Sequence, residues 1–162
     1  WTVCVGMNKV THRVDIIDRY NQIDYNLQKA RIEALLRRYG NATANVDATG
    51  VGEPIVQDLA ARGLNINGIK LSSPEKYNLV TNLAILIEQR KIGLPNHPEL
   101  IDELLTFGYE ILPSGKIRYA APEGRHDDCV IALALAVKDL GSRLAPIKPQ
   151  LGDTPKAKFQ FS

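Results

Sequence analysis

The stretch from Ala44 to Leu59, ANVDATGVGEPIVQDL, decides the fold. Ala44 to Ala48 reads as a short strand, and Thr49, Gly50, Val51 and Gly52 follow as a tight turn. From about Glu53 the pattern changes period, and Ile55, Val56 and Leu59 fall on one face of a helix. A strand, a glycine turn and a helix in succession are the unit from which α/β sheets are built.

Working outward, Thr2 to Met7 alternates around β-forming residues, as does Arg13 to Arg19 beyond the polar Asn8 to His12 segment, which predicts an antiparallel pair. Ile32, Leu35, Leu36 and Tyr39 repeat at helical spacing within Gln28 to Tyr39, and Gly40 with Asn41 ends that helix. Downstream, Asn65 to Leu71 reads as another strand. Ser73 and Pro74 open a long helix through Lys91, whose buried stripe is Leu79, Val80, Leu83, Leu86 and Ile87. A shorter helix, Pro98 to Thr106, precedes a hairpin of Tyr109 to Leu112 and Ile117 to Ala120 around Pro113 to Lys116. The last helix runs from Asp127 to Leu140, with Ala132, Ala134 and Ala136 small enough for close approach to a sheet. Strands first and alternation afterwards predict a mixed central sheet flanked by helices.

The chain has 162 residues, 44% of them hydrophobic, enough for one core of ordinary size. The expected organisation is a domain over 1–141 and a loosely held tail over 142–162, rich in Pro, Lys, Gly and Gln. No apolar run approaches the roughly 20 residues of a membrane helix, and no secretory signal is visible. Cys4 and Cys129 have neither zinc spacing nor disulfide density, so buried free thiols are expected. Twenty Lys and Arg against eighteen Asp and Glu give a formal charge of +2, so any basic surface must be local.

Two features carry chemistry. Asp47 ends a strand whose other positions read as buried, where a charge needs a partner. It is either a turn aspartate accepting the amides of Thr49 and Gly50 or a functional carboxylate at a strand end. The second feature is Gly124 to Val130, GRHDDCV, in which Asp127 and Asp128 stand where a helix begins. One of them can cap that helix, and both suit the positive end of its dipole. An almost wholly apolar helix follows, so the pair is presented from a rigid buried element. If that helix packs beside the strand of Asp47, hard oxygen donors converge in a way that suits Mg²⁺ or Mn²⁺. Phosphodiester cleavage uses such donors, with one ion acidifying the attacking water and a second, about 3.5 to 4 Å away, stabilising the leaving oxygen.

The run VDATGVGEPIVQDL (Val46 to Leu59) followed by GRHDDCVIALALA (Gly124 to Ala136) resembles the nuclease domain of the large terminase subunit of tailed bacteriophages. The resemblance extends from Trp1 to about Leu140. It implies a ribonuclease-H-like fold, related in architecture to Holliday-junction resolvases and integrases. It also implies a task, cutting concatemeric double-stranded DNA at initiation and termination of packaging. The partners implied are an ATPase domain of the same polypeptide, the portal, the small terminase subunit and further copies of the chain in the packaging motor. The setting implied is the host cytoplasm and, transiently, the procapsid.

By position, Asp47 is similar to the metal-binding aspartate of the family's central strand, and Asp127 and Asp128 match its acidic pair. Asp128 is the favoured direct ligand, because Asp127 is better placed to cap the helix. His126 is a contact behind the ligands, a phosphate contact or a plain surface residue. The resemblance further implies an aspartate on a first strand with no counterpart here. Thr2 to Met7 matches the second strand, and that ligand is expected upstream of Trp1. Asp15 and Asp18 are the in-chain substitutes, read more simply as solvent-facing.

For DNA contact the candidates are Lys116, Arg118 and Arg125 around the hairpin, with the amides of Thr49 and Gly50 as a lesser alternative to a purely structural glycine turn. Lys148, Lys156 and Lys158 offer further charge for DNA or a protein partner. Two other functions remain open: a junction resolvase or integrase of the same fold, and a non-catalytic module docking on DNA or the portal.

Overall fold

The computed structural model describes residues 1–50, 52–111, 113 and 117–140, and of residues 110, 111, 117 and 118 the backbone alone. The tail expected over 142–162 lies outside these residues. β1 (Thr2–Asn8) and β2 (Arg13–Tyr20) pair antiparallel as expected. β3 (Ala44–Asp47) and β4 (Ile66–Ile69) pair in parallel around the crossover helix α2 (Gly52–Ala61). β5 (Gly108–Ile111) and β6 (Ile117–Ala120) form the late hairpin. Among the described residues these are three separate two-stranded pieces rather than one continuous sheet.

The helices are α1 (Tyr25–Arg38), α3 (Ser73–Glu88), α4 (Pro98–Thr106) and α5 (Asp128–Ala136). α1 begins three residues before the apolar pattern does, because Asp24 accepts the amides of Asn26 and Leu27 at 2.8 and 3.0 Å and sets the first turn. α3 is capped by Ser72 rather than Ser73: its hydroxyl accepts the Glu75 amide, and Pro74 sits inside the first turn. It ends at Glu88, short of Lys91, since Arg90 takes a left-handed φ of 53°. The longest of the described helices has 16 residues, and none is long and apolar enough to cross a membrane.

α5 is the centre of the molecule. It packs against β1, β3, α3 and α4, and Cys129, Val130, Leu133, Ala134 and Leu135 along it are buried. They form one core with Val14, Leu79, Leu83, Leu86, Ile92, Leu100 and Val137. A side chain such as Leu133, fully buried, stabilises the fold by about 1.5 to 3 kcal/mol. A smaller cluster of Leu36, Leu59 and Leu64 holds α1 and α2 to the β3–β4 unit. The register of α5 on β3 is fixed by Asn45, whose side-chain amide donates to the Leu135 carbonyl at 2.9 Å. Both Cys4 and Cys129 are free thiols; Cys129 is buried as expected, while Cys4 is only partly so.

Candidate metal centre

β3 delivers Asp47 to its own C-terminal end, where the strand leaves the ladder. There Oδ1 accepts the Thr49 amide at 2.8 Å, so the turn role is real. The carboxylate is nevertheless exposed, and its second oxygen has no hydrogen-bond partner among the described residues. Gly50 holds a φ of +57°, and a Cβ on Gly52 would collide with the Asp47 carbonyl oxygen. The two glycines therefore make the sharp turn and the close approach, as the sequence predicts. The amides of Thr49, Gly52 and Glu53 are committed inside the turn, to Asp47, Thr49 and Gly50 respectively. Thr49 also accepts the Leu71 amide on its hydroxyl at 2.9 Å. That leaves Gly50 the freer of the two residues proposed for a phosphate contact.

The acidic pair opens α5. Asp127 stands at the cap position but makes no capping hydrogen bond, contrary to the expectation for it. Its Oδ2 pairs instead with the ammonium of Lys76 at 2.9 Å, and both side chains are about a quarter exposed (28% and 25%). Asp128, the first residue of the helix, lies 3.4 Å from Nδ1 of His126 and 3.5 Å from the backbone nitrogen of Trp1, each measured from Oδ2. His126 is well exposed. Arg125, the third basic candidate, is engaged in an exposed 2.7 Å ion pair with Asp102. Lys116 lies outside the described residues, as does the side chain of Arg118, whose backbone pairs with Glu110 across the hairpin.

The capping falls to a residue that sequence reasoning missed. Glu103, on α4, sends Oε2 to the amides of Cys129 and Val130 at 2.7 and 3.3 Å. It is one of the two charged residues buried among those described, with 5% of its surface exposed. A signal did exist: Glu103 occupies a core-facing position of α4 one turn after the buried Leu100, where an acidic residue needs a partner. Lys76 was equally missed.

A relay of contacts through the start of α3 links the two halves. Thr49, two residues after Asp47, is bonded to Leu71; Ser72 then caps α3, whose first turn carries Lys76, the partner of Asp127. Among the described residues, however, no three His, Cys, Asp or Glu side chains are grouped closely enough to hold a metal ion. Asp127 and Asp128 are adjacent at the start of α5, and Asp47 ends β3, against which α5 packs. Asp18 is engaged through both oxygens by Arg31, at 2.6 and 2.7 Å, and Asp15 is exposed, so neither joins the group. In kind, the donors fit a hard divalent cation, since three aspartates bring carboxylate oxygens.

The family model of the terminase RNaseH-like domain matches residues 1–140. The chain belongs to that family. Terminase large subunits of Thermus phage G20c and Thermus virus P23-45 are each 37% identical to this terminase domain over 127 residues, 78% of the chain. The chain spans about a quarter (26%) of the length of these relatives.

The large terminase nuclease of phage G20c, solved with bound magnesium, superposes with a TM-score of 0.78 at 32% identity, covering 85% of this chain and 81% of that one. The same nuclease with bound cobalt gives the same values. The nuclease domain of Thermus phage P74-26 gives 0.77 at 29% identity, covering 90% and 83%. The terminase domain thus has the ribonuclease-H-like α/β fold of these nucleases.

Proposed function

We propose that this domain is a divalent-metal-dependent DNA endonuclease, the part of a packaging terminase that cuts concatemeric double-stranded viral DNA at the start and end of packaging. The observation that carries the reading is the likeness to a terminase nuclease solved with magnesium bound, over most of both chains. Asp47, Asp127 and Asp128 would hold Mg²⁺ or Mn²⁺, with two ions as the working number. When bound, such ions supply Lewis acidity toward a phosphodiester and its attacking water.

The chain's own residues set the stage for that chemistry. Asp47 is fixed in orientation by its bond to Thr49 and keeps one oxygen for a cation. Lys76 neutralises Asp127, and a cation or an approaching phosphate would compete for one or the other. His126 stands beside Asp128 and is exposed, and it is the proposed phosphate contact. Lys116, Arg118 and Arg125 are the proposed backbone contacts, which position a duplex without reading its sequence.

The remaining carboxylate is proposed to come from a strand upstream of Trp1. Support comes from the strand edges: among the described residues β1 is paired on one side, by β2, and β3 on one side, by β4, while α5 packs against both. In the whole protein, an ATPase domain on the same polypeptide, the portal, the small subunit and sister copies are the proposed partners. The host cytoplasm and the procapsid are the proposed setting. Plasmid nicking in Mg²⁺ or Mn²⁺ tests the reading: the full-length protein should cut, and Asp128→Asn should not. Metal-independent binding to DNA without cutting would favour a docking module instead.

A further inference from the structure

Both acidic residues at the start of α5 are free of the task that their position normally imposes. The first amides of a helix have no partners within it, and an Asp at the cap or in the first turn ordinarily accepts them. Here Asp127 makes no such bond, and Asp128 is turned to His126 and Trp1. The amides of Cys129 and Val130 are taken by Glu103, which arrives from another helix, 26 and 27 residues away in sequence. Cys129 is wholly buried and Val130 nearly so, so water is no substitute for that carboxylate.

We propose that Glu103 is a positioning residue for the acidic pair: by capping α5 from α4 it fixes the rotation and height of the helix start and leaves Asp127 and Asp128 available to a cation. This rests on the nuclease reading above. The chemistry is that of a carboxylate accepting two backbone N–H groups, a charge-assisted arrangement that is short and directional. The accepting oxygen also faces the positive end of the α5 dipole. The second oxygen, Oε1, is buried and has no hydrogen-bond partner among the described residues. Oε2 is held by the two helix amides, and the reach of the side chain along α4 sets the geometry. Groups behind metal ligands typically change affinity by about 10- to 100-fold when removed.

The test is Mn²⁺ titration of the full-length protein without nucleotide, comparing wild type with Glu103→Ala, Glu103→Gln and Glu103→Asp, and using Asp47→Asn to subtract binding elsewhere. Titrations are run well below each variant's Tm, so that a purely structural role leaves the affinity of folded molecules unmoved. Gln keeps an acceptor at the right reach and should stay within about threefold of wild type. Ala removes the acceptor and Asp withdraws it by one methylene, and both should weaken Mn²⁺ at least about tenfold. If Ala does not fold, the order of the other two decides: Asp weaker than Gln supports a cap acting through reach. Gln weaker than Asp would mean that charge rather than reach matters, and Gln as weak as Asp would mean that reach does not decide; either result overturns the proposal. Unchanged affinity in Ala or Asp overturns it while leaving the nuclease reading intact. A wild-type protein that binds no Mn²⁺ at Asp47 would overturn both together.

Discussion

Oδ1 of Asp47 accepts the backbone amide of Thr49 at 2.8 Å, two residues further along the chain. One carboxylate thus serves as a turn former and remains exposed as a candidate ligand. Asn carries the same acceptor oxygen without the charge, so the two roles separate by substitution. Asp47→Asn should change unfolding free energy by less than about 1 kcal/mol while abolishing DNA nicking. Asp47→Ala should lose the turn bond as well, costing about 1 kcal/mol more. Urea unfolding beside a plasmid assay checks both.

Lys76 and Asp127 form a partly exposed pair, of the kind worth about 0 to 1 kcal/mol. Lys76→Met should therefore leave the Tm nearly unchanged. By removing the resident positive charge it should tighten Mn²⁺ binding severalfold, a change that calorimetry resolves. Weaker binding in a well-folded Lys76→Met protein would count against Asp127 as a ligand.

Gly50 and Gly52 answer to different constraints. Gly50→Ala places a side chain at a φ of +57° and should cost about 1 to 2 kcal/mol. Gly52→Ala drives a Cβ into the Asp47 carbonyl and should cost more, because the obstacle is backbone that cannot rotate away. It should also displace Asp47 and impair cutting. Equal, small losses in both variants would show that the turn is more compliant than this geometry allows.

Burial pushes the Cys129 thiol up from 9.0 to about 12, with the nearby Glu103 carboxylate adding to the effect. The folded state then holds a proton that the unfolded state releases above about pH 9. The stability from this group is complete below that pH and is lost as pH rises toward 12. Native Cys129 should resist alkylation at pH 8.5 and react on unfolding, and Cys129→Ala should flatten the decline of stability above pH 9. Mass spectrometry of labelled protein and denaturation at stepped pH provide the readouts.

Local pattern carried much of this fold. The β1–β2 hairpin follows from alternation, the β3–α2–β4 unit from a change of period across glycines, and α5 from an apolar run behind an acidic pair. What escaped was set by partners distant in sequence or by residues with no apolar pattern. The first turns of α1 carry the exposed Tyr25 and Leu27, so its start at Asp24 left no core-facing signal. Two adjacent serines before Pro74 are equivalent as letters, and tertiary geometry selected Ser72. The left-handed Arg90 that ends α3 has none of the glycine signature that marks Gly40. Division of the strands into three pairs is a matter of long-range pairing, which periodicity does not encode.

The places of Asp47 at a strand end and of Asp127 and Asp128 at a helix start were legible, and their local neighbours partly so. Their true engagements were not: Lys76 lies 51 residues from Asp127 in sequence, and Glu103 lies 26 from Cys129. Each changed the role expected of Asp127, from helix cap to one half of an ion pair.

The most direct measurement is anomalous diffraction from crystals of the full-length protein soaked in Mn²⁺. The account predicts a peak within coordination distance of the carboxylates of both Asp47 and Asp128, lost in Asp47→Asn. Peaks confined to other surfaces, or none at a saturating soak, would contradict it.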